Sequence, residues 1–322
     1  PVVIYDEDWQ NHRQTVSIHI LKKEKNTDRV LEGGIFGLFA KEDIVSASGG
    51  GNPVFRIRKS PVHQCPKCLR TVFCINFIAD LPIDASYYVK ELHAPDGFVN
   101  AEEVQEFTFE YVGADQAVVE ENFTFEDEAT TVELTKSDIT TGKEIPGCKL
   151  KVVDKDGKLV DEWISTEDAH VIKELVVGKY YTLIETQPAD GYVTAESIEF
   201  TIENTAEVQK VEMKDDVTKV EISKQDIAGK ELPGAKLTIL DSEGKVVESW
   251  TSTNNPHYIE MLPIGKYTLR EETAPEGYLV ANDVQFEVKD TAEVQHVTMV
   301  DEAKPSRPSE TPSTPKTGDD RN

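Results

Sequence analysis

The chain repeats itself with a period of 88 residues, and this repeat limits what it can fold into. Residues 132–150 read VELTKSDITTGKEIPGCKL, and residues 220–237 read VEISKQDIAGKELPGAKL. The equivalent lysines, Lys136 and Lys224, give the period as 224 − 136 = 88. A unit of this length is the size of one small domain. The sequence therefore predicts tandem copies of one compact fold.

A third and more divergent copy lies upstream of these two. It reads IHILK at 18–22, YYVKE at 87–91 and FTFED at 123–127, and it is longer because of an insertion around 46–74. The repeats predict an N-terminal segment, three domains and a C-terminal tail, with the bounds 1–14, 15–130, 131–217, 218–303 and 304–322.

Within each repeat, short runs of alternating residues are separated by Gly, Pro, Asn and Asp turns. A period of two is typical of strands, and about seven short strands per repeat are typical of a β-sandwich. We therefore predict an all-β chain of three tandem immunoglobulin-like sandwiches, joined by short linkers into a rather stiff rod. The tail, with Pro305, Pro308, Pro312 and Pro315, predicts an extended Pro-rich segment.

Composition excludes several classes of partner. The 322 residues include 34 Lys+Arg and 60 Asp+Glu, which gives a formal net charge of −26. Such a chain cannot neutralise a row of phosphates or dock electrostatically on an anionic membrane, so nucleic acid is excluded as a partner. No apolar run reaches the roughly 18 residues of a membrane span. The chain starts at Pro1 without a basic and apolar leader, so we expect a processed or trimmed fragment.

Charged residues occupy positions that the alternation predicts to face the core. Lys224 continues the register of Val220 and Ile222, because side chains two residues apart share one face of a strand. Glu271 and Asp301 continue the apolar registers of two later strands in the same way. The trio recurs in all three repeats: Lys22, Glu91 and Asp127; Lys136, Glu185 and Asp215; Lys224, Glu271 and Asp301.

Three interpretations of this trio are open. The charges can sit at strand ends and reach water, or they can form a buried ion pair, which is a poor source of stability. The third interpretation is covalent. Burial favours a neutral amine and a protonated acid, and such an amine can attack the Asp carbonyl while a protonated Glu polarises it. Loss of water then leaves an uncharged Lys–Asp amide, which best explains a trio that recurs three times.

Several motifs resemble one family. The sequence has G-K-E-x-P-G at 142–147 and 229–234, an E-T-Q-P-A-D-G-Y segment at 185–192 with a counterpart at 271–278, and V-x-M-x-D at 297–301. These resemble the Cna protein B-type, or prealbumin-like, domains of Gram-positive surface proteins and pilins. The resemblance covers about residues 15–303 and is weakest in the first repeat.

The resemblance implies that a lysine on the first strand and an Asn or Asp on the last strand form an intramolecular isopeptide bond, assisted by a Glu. Carried over by motif, the bonds are Lys22–Asp127, Lys136–Asp215 and Lys224–Asp301, assisted by Glu91, Glu185 and Glu271. No Ser/His/Asp triad, phosphate loop or metal–carboxylate motif stands out. We therefore expect no cofactor, no metal and no enzyme activity beyond self-crosslinking.

The chain ends with TPKTGDDRN at 314–322. Pro-x-Thr-Gly after a Pro-rich spacer looks like a sortase sorting signal, in which the bond after Thr is cut and the Thr is attached to peptidoglycan or a pilin amine. Thr317 is then the attachment residue, although Thr314 stands where Leu is usual. We expect sortase as a partner, with peptidoglycan or other pilin subunits, and an extracellular location on a Gram-positive cell wall.

Two smaller features lead to further expectations. Val2, Ile4 and Asp6 share one register and predict the last strand of a preceding repeat. Cys148 takes the place of Ala235 and predicts a small buried side chain.

Three other cysteines leave alternatives open. Cys65, Cys68 and Cys74 lie in the insertion together with His63. Zinc binding, a disulfide and free thiols are all compatible with this spacing, because a zinc ribbon normally needs a second pair of ligands.

The expected function is that of a cell-wall-anchored structural surface protein, a stalk or pilus-type subunit that supports adhesion. Two alternatives remain. One is an adhesin that binds a host matrix protein through the first domain, and the other is the wall-attachment module of a trimmed surface enzyme. A Tyr-Pro-Lys-type donor motif is absent from the sequence, which favours an accessory subunit or single-chain stalk over a polymerised backbone pilin.

Overall fold

A computed structural model describes residues 14–41, 55–57, 74–100 and 103–305. Within these ranges the fold is built from twenty-one β-strands, so the predicted all-β class is confirmed. No helix in the same ranges is long and apolar enough to cross a membrane. Most of the N-terminal segment, most of the insertion and the tail from 306 onward lie outside the described residues.

Each repeat forms one three-stranded and one four-stranded sheet, which together give the seven predicted strands. In the first repeat, β1 (Thr15–Glu24), β4 (Cys74–Ala79) and β7 (Val118–Asp127) pair in the order β4-β1-β7. The second sheet of that repeat has β2 (Ile35–Ala40), β3 (Phe55–Ile57), β5 (Ala85–His93) and β6 (Val104–Phe109) in the order β3-β2-β5-β6.

The middle repeat has the same arrangement. Its three-stranded sheet has β8 (Thr131–Asp138), β11 (His170–Lys173) and β14 (Gln209–Asp215) in the order β11-β8-β14. Its four-stranded sheet has β9 (Lys149–Asp154), β10 (Leu159–Ile164), β12 (Tyr180–Gln187) and β13 (Ile198–Thr201) in the order β10-β9-β12-β13.

The third repeat follows the same plan. Its smaller sheet has β15 (Lys219–Asp226), β18 (His257–Glu260) and β21 (Val294–Asp301) in the order β18-β15-β21. Its larger sheet has β16 (Lys236–Leu240), β17 (Val246–Thr251), β19 (Gly265–Thr273) and β20 (Val284–Val288) in the order β17-β16-β19-β20.

The chain divides into two compact units. The first is formed by Pro1–Lys136, Leu150–Ile184 and Ser197–Met213, and the second by Ser137–Lys149, Glu185–Glu196 and Lys214–Asn322. The first unit contains the whole first repeat, and the second unit contains the whole third repeat. Strands of the middle repeat contribute to both units.

The cores lie between the two sheets of each repeat. In the third repeat, Ile222, Leu237, Leu269 and Met299 are buried in one cluster that draws on both sheets. The first repeat has a core richer in aromatic rings, in which Phe36 and Phe125 are fully buried and pack 5.0 Å apart between centroids. The alternation that predicted these inward registers is therefore confirmed.

The first and last strands of the first and third repeats are parallel neighbours. Lys22 lies beside Phe125 in the pairing of β1 with β7, and Lys224 lies beside Met299 in the pairing of β15 with β21. Two strands that run in parallel lead the chain into the sheet at one end and out at the other. Any tension along the chain therefore passes through this strand pair.

A tight backbone contact follows the turn at Gly191 in the second unit. The amide of Thr218 donates to the Gly191 carbonyl at 2.9 Å, and the Thr218 hydroxyl donates to the Leu262 carbonyl at 2.6 Å. Gly191 has φ +86°, and a Cβ added there would lie 2.6 Å from the Met261 carbonyl oxygen. Glycine is required here both by the backbone conformation and by the close approach.

Candidate functional site

The first repeat contains a buried cluster of one amine and two carboxyl groups. Lys22 on β1 donates from Nζ to Glu91 Oε2 at 2.7 Å, and the same nitrogen contacts Asp127 Oδ1. Their side chains are 3%, 1% and 0% exposed. The rings of Phe36 and Phe125 lie 5.9 Å from the same nitrogen and help to exclude water from it. The three predicted residues of this repeat are therefore brought together in the interior.

The third repeat contains the same cluster. Lys224 Nζ lies 3.0 Å from Glu271 Oε1 and also contacts Asp301 Oδ1, and none of the three side chains is more than 2% exposed. The lysine and the aspartate come from neighbouring strands of the smaller sheet, whereas the glutamate on β19 reaches across from the larger sheet. The cluster thus spans the core of the sandwich.

In the middle repeat, the equivalent residues are equally buried. Lys136, Glu185 and Asp215 are 2%, 5% and 1% exposed. The strands β8 and β14, which carry the lysine and the aspartate, are neighbours in the smaller sheet. All nine residues predicted from the parity of the strands therefore lie in the interior, and their chemical role is argued below as a proposal.

The glutamates of the first and third repeats lie next to an irregularity in the strand pairing. Leu237 pairs with Glu271, but Lys236 pairs with Thr273, so β19 carries one extra residue at this point. The pairing of β2 with β5 has the same shift next to Glu91. Such a bulge redirects the side chains beside it, and bulges are common next to functional sites. The bulge was not predicted, because one extra residue in a strand cannot be recognised from the alternation of apolar and polar residues.

A backbone amide also anchors the glutamate in two of the repeats. Ala281 donates from its amide to Glu271 Oε2 at 2.7 Å, and Ala195 donates to Glu185 Oε2 at 2.7 Å. The donor lies ten residues after the glutamate in both cases, just beyond the Gly-Tyr turn. In the third repeat this contact fixes Oε2 of Glu271 and leaves Oε1 directed toward Lys224.

Burial raises the pKa of one carboxyl group in the first repeat, Glu91, and of one in the third repeat, Asp301. The pKa of Glu91 rises from 4.5 to about 8 because burial disfavours its charge, although the hydrogen bond and charge of Lys22 oppose the rise. The pKa of Asp301 is also raised by burial, against the opposing effect of Lys224. Asp301 Oδ2 is buried and has no hydrogen-bond partner among the described residues. At Glu91 and Asp301 these surroundings favour the protonated, uncharged carboxyl group.

Cys148 is fully buried, as predicted for a small side chain in place of Ala235. Its position beside the cluster was not predicted, since the sequence alone does not show which core residues are neighbours. The Sγ atom lies 4.0 Å from Asp215 Oδ2.

Other residues singled out in the sequence lie outside the described part of the chain. Thr317 and the side chains of Cys65, Cys68 and Cys74 belong to this group.

The fold and the clusters together define a tandem array of β-sandwich domains, each with a buried lysine–carboxyl trio. The family model of the SpaA prealbumin-like fold domain matches residues 130–217 and 218–303. These two matches cover more than half of the chain, so the chain belongs to the SpaA prealbumin-like fold domain family. The first repeat lies outside the matched residues.

Several solved structures are similar to this chain. The Bacillus anthracis TIE protein is 25% identical with a TM-score of 0.47, and the match covers 89% of this chain and 51% of that protein. The chain therefore spans about half the length of that relative. A streptococcal ancillary pilin is 16% identical with a TM-score of 0.36 and coverage of 91% and 100%. BcpA, the major pilin subunit of Bacillus cereus, is 15% identical with a TM-score of 0.38 and coverage of 90% and 100%. A comparison with curated protein sequences gave no match.

Proposed function

We propose that each repeat closes an intramolecular Lys–Asp isopeptide bond, and that the chain is a self-crosslinked structural subunit on the surface of a Gram-positive cell. The observation that carries the proposal is the buried contact of one amine with an aspartate and a glutamate, in two repeats of different sequence. Membership of the prealbumin-like family supports it. The middle repeat is included because its three equivalent residues are buried.

The reaction balances without a cofactor. The neutral Nζ of lysine attacks Cγ of the protonated aspartate, so that a C–N bond forms and a C–O bond breaks. One amine proton and the carboxyl hydroxyl leave as water. The protonated glutamate gives its proton to the carboxyl oxygen that departs and takes a proton from the nitrogen, so it ends in the protonation state in which it began. Fixed positions in the fold replace the effective concentration that free side chains lack.

The electrostatics of the site suit this role. A glutamate with the usual pKa would be charged at neutral pH and would hold the amine as a cation. Burial raises the pKa of Glu91 to about 8, so this group keeps a proton that it can give to the reacting carbonyl. A product amide carries no charge, and the desolvation penalty of a buried ion pair disappears with the reaction.

The crosslink also suits a load-bearing part. It joins the first strand to the last strand, which are parallel and carry the chain in and out of the sheet. Tension then crosses one covalent bond instead of the hydrogen bonds of the sandwich. A stalk or pilus-type subunit on the cell wall is the role that fits this arrangement best. The bond forms once per repeat, so the chain modifies itself and turns over no external substrate.

Intact mass of the purified chain tests the proposal. Three bonds predict a mass lower by three waters than the sum of the residues. Lys224→Ala should lose only two waters, because the third repeat then lacks its amine. Lys236→Ala is the matched control, since Lys236 is exposed on β16, and it should still lose three waters. A wild-type mass equal to the unmodified sum would refute the proposal.

Attachment to the wall is proposed at Thr317. The chain is incubated with a purified sortase and an amine nucleophile, and the product is analysed by mass. Cleavage between Thr317 and Gly318, with the amine joined to Thr317, is the expected result. Thr317→Ala should abolish the product, whereas Thr311→Ala, outside the Pro-x-Thr-Gly motif, should not. An unchanged mass after incubation of the wild type would contradict wall attachment through this motif.

A further inference from the structure

One position beside the buried clusters differs among the repeats. Gly34, Cys148 and Ala235 are equivalent residues, each immediately before the first strand of the larger sheet. A Cβ added at Gly34 would lie 3.1 Å from Glu91 Oε1, so this position faces the glutamate. Cys148 and Ala235 are both fully buried. Among the three repeats, the middle one alone places a thiol there.

The thiol lies within a compact set of donor atoms. Cys148 Sγ and one carboxylate oxygen each from Glu185 and Asp215 all lie within 4.8 Å of one another. The three residues are 0%, 5% and 1% exposed. They come from three separate places in the chain and from both sheets, so the folded sandwich alone brings them together. Small side-chain movements would bring all three atoms to the distances of a common central ion.

We propose that Cys148, Glu185 and Asp215 form a Zn²⁺ site in the middle repeat before its amide bond has formed. Zinc binds a thiolate at about 2.3 Å and carboxylate oxygens at about 2.0–2.2 Å, and it accepts three protein ligands with a fourth position left open. Calcium and magnesium prefer oxygen ligands alone, so the thiol selects against them. Binding releases the thiol proton to solvent and involves no change of oxidation state.

The charge of the site supports a cation. When ionised, the three ligands carry three negative charges, and the buried Lys136 supplies only one positive charge. A divalent ion balances the remaining two and so offsets the cost of burying them. The first and third repeats have Gly34 and Ala235 in place of the thiol, so they offer only two carboxyl groups. Zinc should therefore act on the middle repeat and not on the other two.

Metal binding and crosslinking exclude each other at this site, and this part of the inference rests on the proposed function. Both processes use the Asp215 carboxyl group. Once the amide has formed, a negatively charged ligand is lost and the site is dismantled. The three ligands are buried, so zinc must enter while the chain folds. Zinc present during folding then holds the middle repeat in its uncrosslinked form.

Refolding of the full chain tests the inference. The chain is produced unfolded and uncrosslinked, and it is refolded either with a chelator or with a small excess of Zn²⁺. Intact mass then counts the waters lost, and elemental analysis after desalting counts the zinc retained. We expect three waters lost with the chelator and two with zinc, with the missing bond located in the middle repeat by peptide mapping. Refolding with Cd²⁺ should add an ultraviolet thiolate-to-metal absorption.

Cys148→Ala is the matched control, because alanine is the residue at the equivalent position 235. This variant should lose three waters in both conditions and retain one zinc ion fewer than the wild type. Zinc bound elsewhere in the chain is present in both proteins, so it cancels when the two are compared. Cys148→Ser keeps the size of the side chain and should behave in the same way. Ala235→Cys should make the third repeat sensitive to zinc as well.

Two results would overturn the inference: three waters lost by the wild type in the presence of zinc, or equal zinc retention by the wild type and Cys148→Ala. The outcome for the proposed function is read separately. If no water is lost even with the chelator, crosslinking is wrong, whereas a zinc ion that depends on Cys148 would still establish the metal site.

Discussion

Glu271→Gln separates the proposed bond from the rest of the third repeat. The amide of glutamine has nearly the same shape as the carboxyl group and can still accept from the Ala281 amide. It cannot exchange protons with the amine and the departing oxygen, so the Lys224–Asp301 bond should not form. The mass should then correspond to two waters lost instead of three.

The loss of stability follows from the size of the loop that the bond closes. Lys224 and Asp301 are 77 positions apart. The chain-entropy relation for crosslinks then gives about 4.5 kcal/mol for this loop at room temperature. Since about 1 kcal/mol shifts the Tm of a domain of this size by roughly 4–8 °C, the transition of the third repeat should fall by roughly 18–36 °C.

Differential scanning calorimetry measures this shift on samples whose mass is determined in parallel. Glu272→Gln is the matched control, because it makes the same change at the next, exposed residue and should keep both the bond and the Tm. The reasoning fails if Glu271→Gln loses three waters. It also fails if the bond is absent by mass and the transition stays within a few degrees of the wild type.

Three further outcomes are expected. Asp301→Asn should crosslink with loss of ammonia, and its mass should then equal that of the wild type, because both reactions give the same amide; a mass that retains the Asn nitrogen would contradict this. Lys22→Met cannot form the first bond, and burial keeps the pKa of Glu91 near or above 8 in the folded variant. In the unfolded chain the same group loses its proton as the pH rises from about 4.5, so the folded state holds one proton more over this range. The free energy of unfolding of the first repeat should therefore fall between about pH 4.5 and 8 in denaturant titrations, and adding Glu91→Gln should reduce this fall; equal slopes would refute it. Gly191→Ala should destabilise the second unit by about 1–3 kcal/mol more than Gly277→Ala. Both glycines have a positive φ, but only a Cβ at 191 would meet backbone, 2.6 Å from the Met261 carbonyl oxygen. Equal melting temperatures of the two variants would contradict this expectation.

The sequence predicted the strands and the buried charges because both follow from a period of two. Val220 and Ile222 reveal the inward face of β15, and Lys224 continues it, so its burial needs no knowledge of the partners. The strand order was not predictable in this way. The parallel pairing of β15 with β21 joins residues 77 positions apart, and no local pattern specifies which distant strand becomes the neighbour.

The details that position the glutamates also lay beyond the sequence. The bulge opposite Leu237 adds one residue to β19, and a single extra residue is indistinguishable from a slightly longer strand. The same limit applied to Cys148. Its burial could be predicted from Ala235, but its distance to Asp215 depends on how two sheets pack face to face.

The position of the proposed bond along the strand determines how much of each domain it would shield from tension. Lys22 is the eighth of ten residues in β1, and Asp127 is the last residue of β7. With the proposed bond in place, force that enters at Thr15 would pass along most of β1 before it crosses the bond and leaves with the chain. The remaining strands are not in this path, and a bond near the entry end would instead leave the full length of β7 to carry the load. A crosslink at the exit end would thus load the first strand, which is held by neighbours on both sides, β4 and β7. It would spare the last strand, which among the described strands pairs with β1 alone.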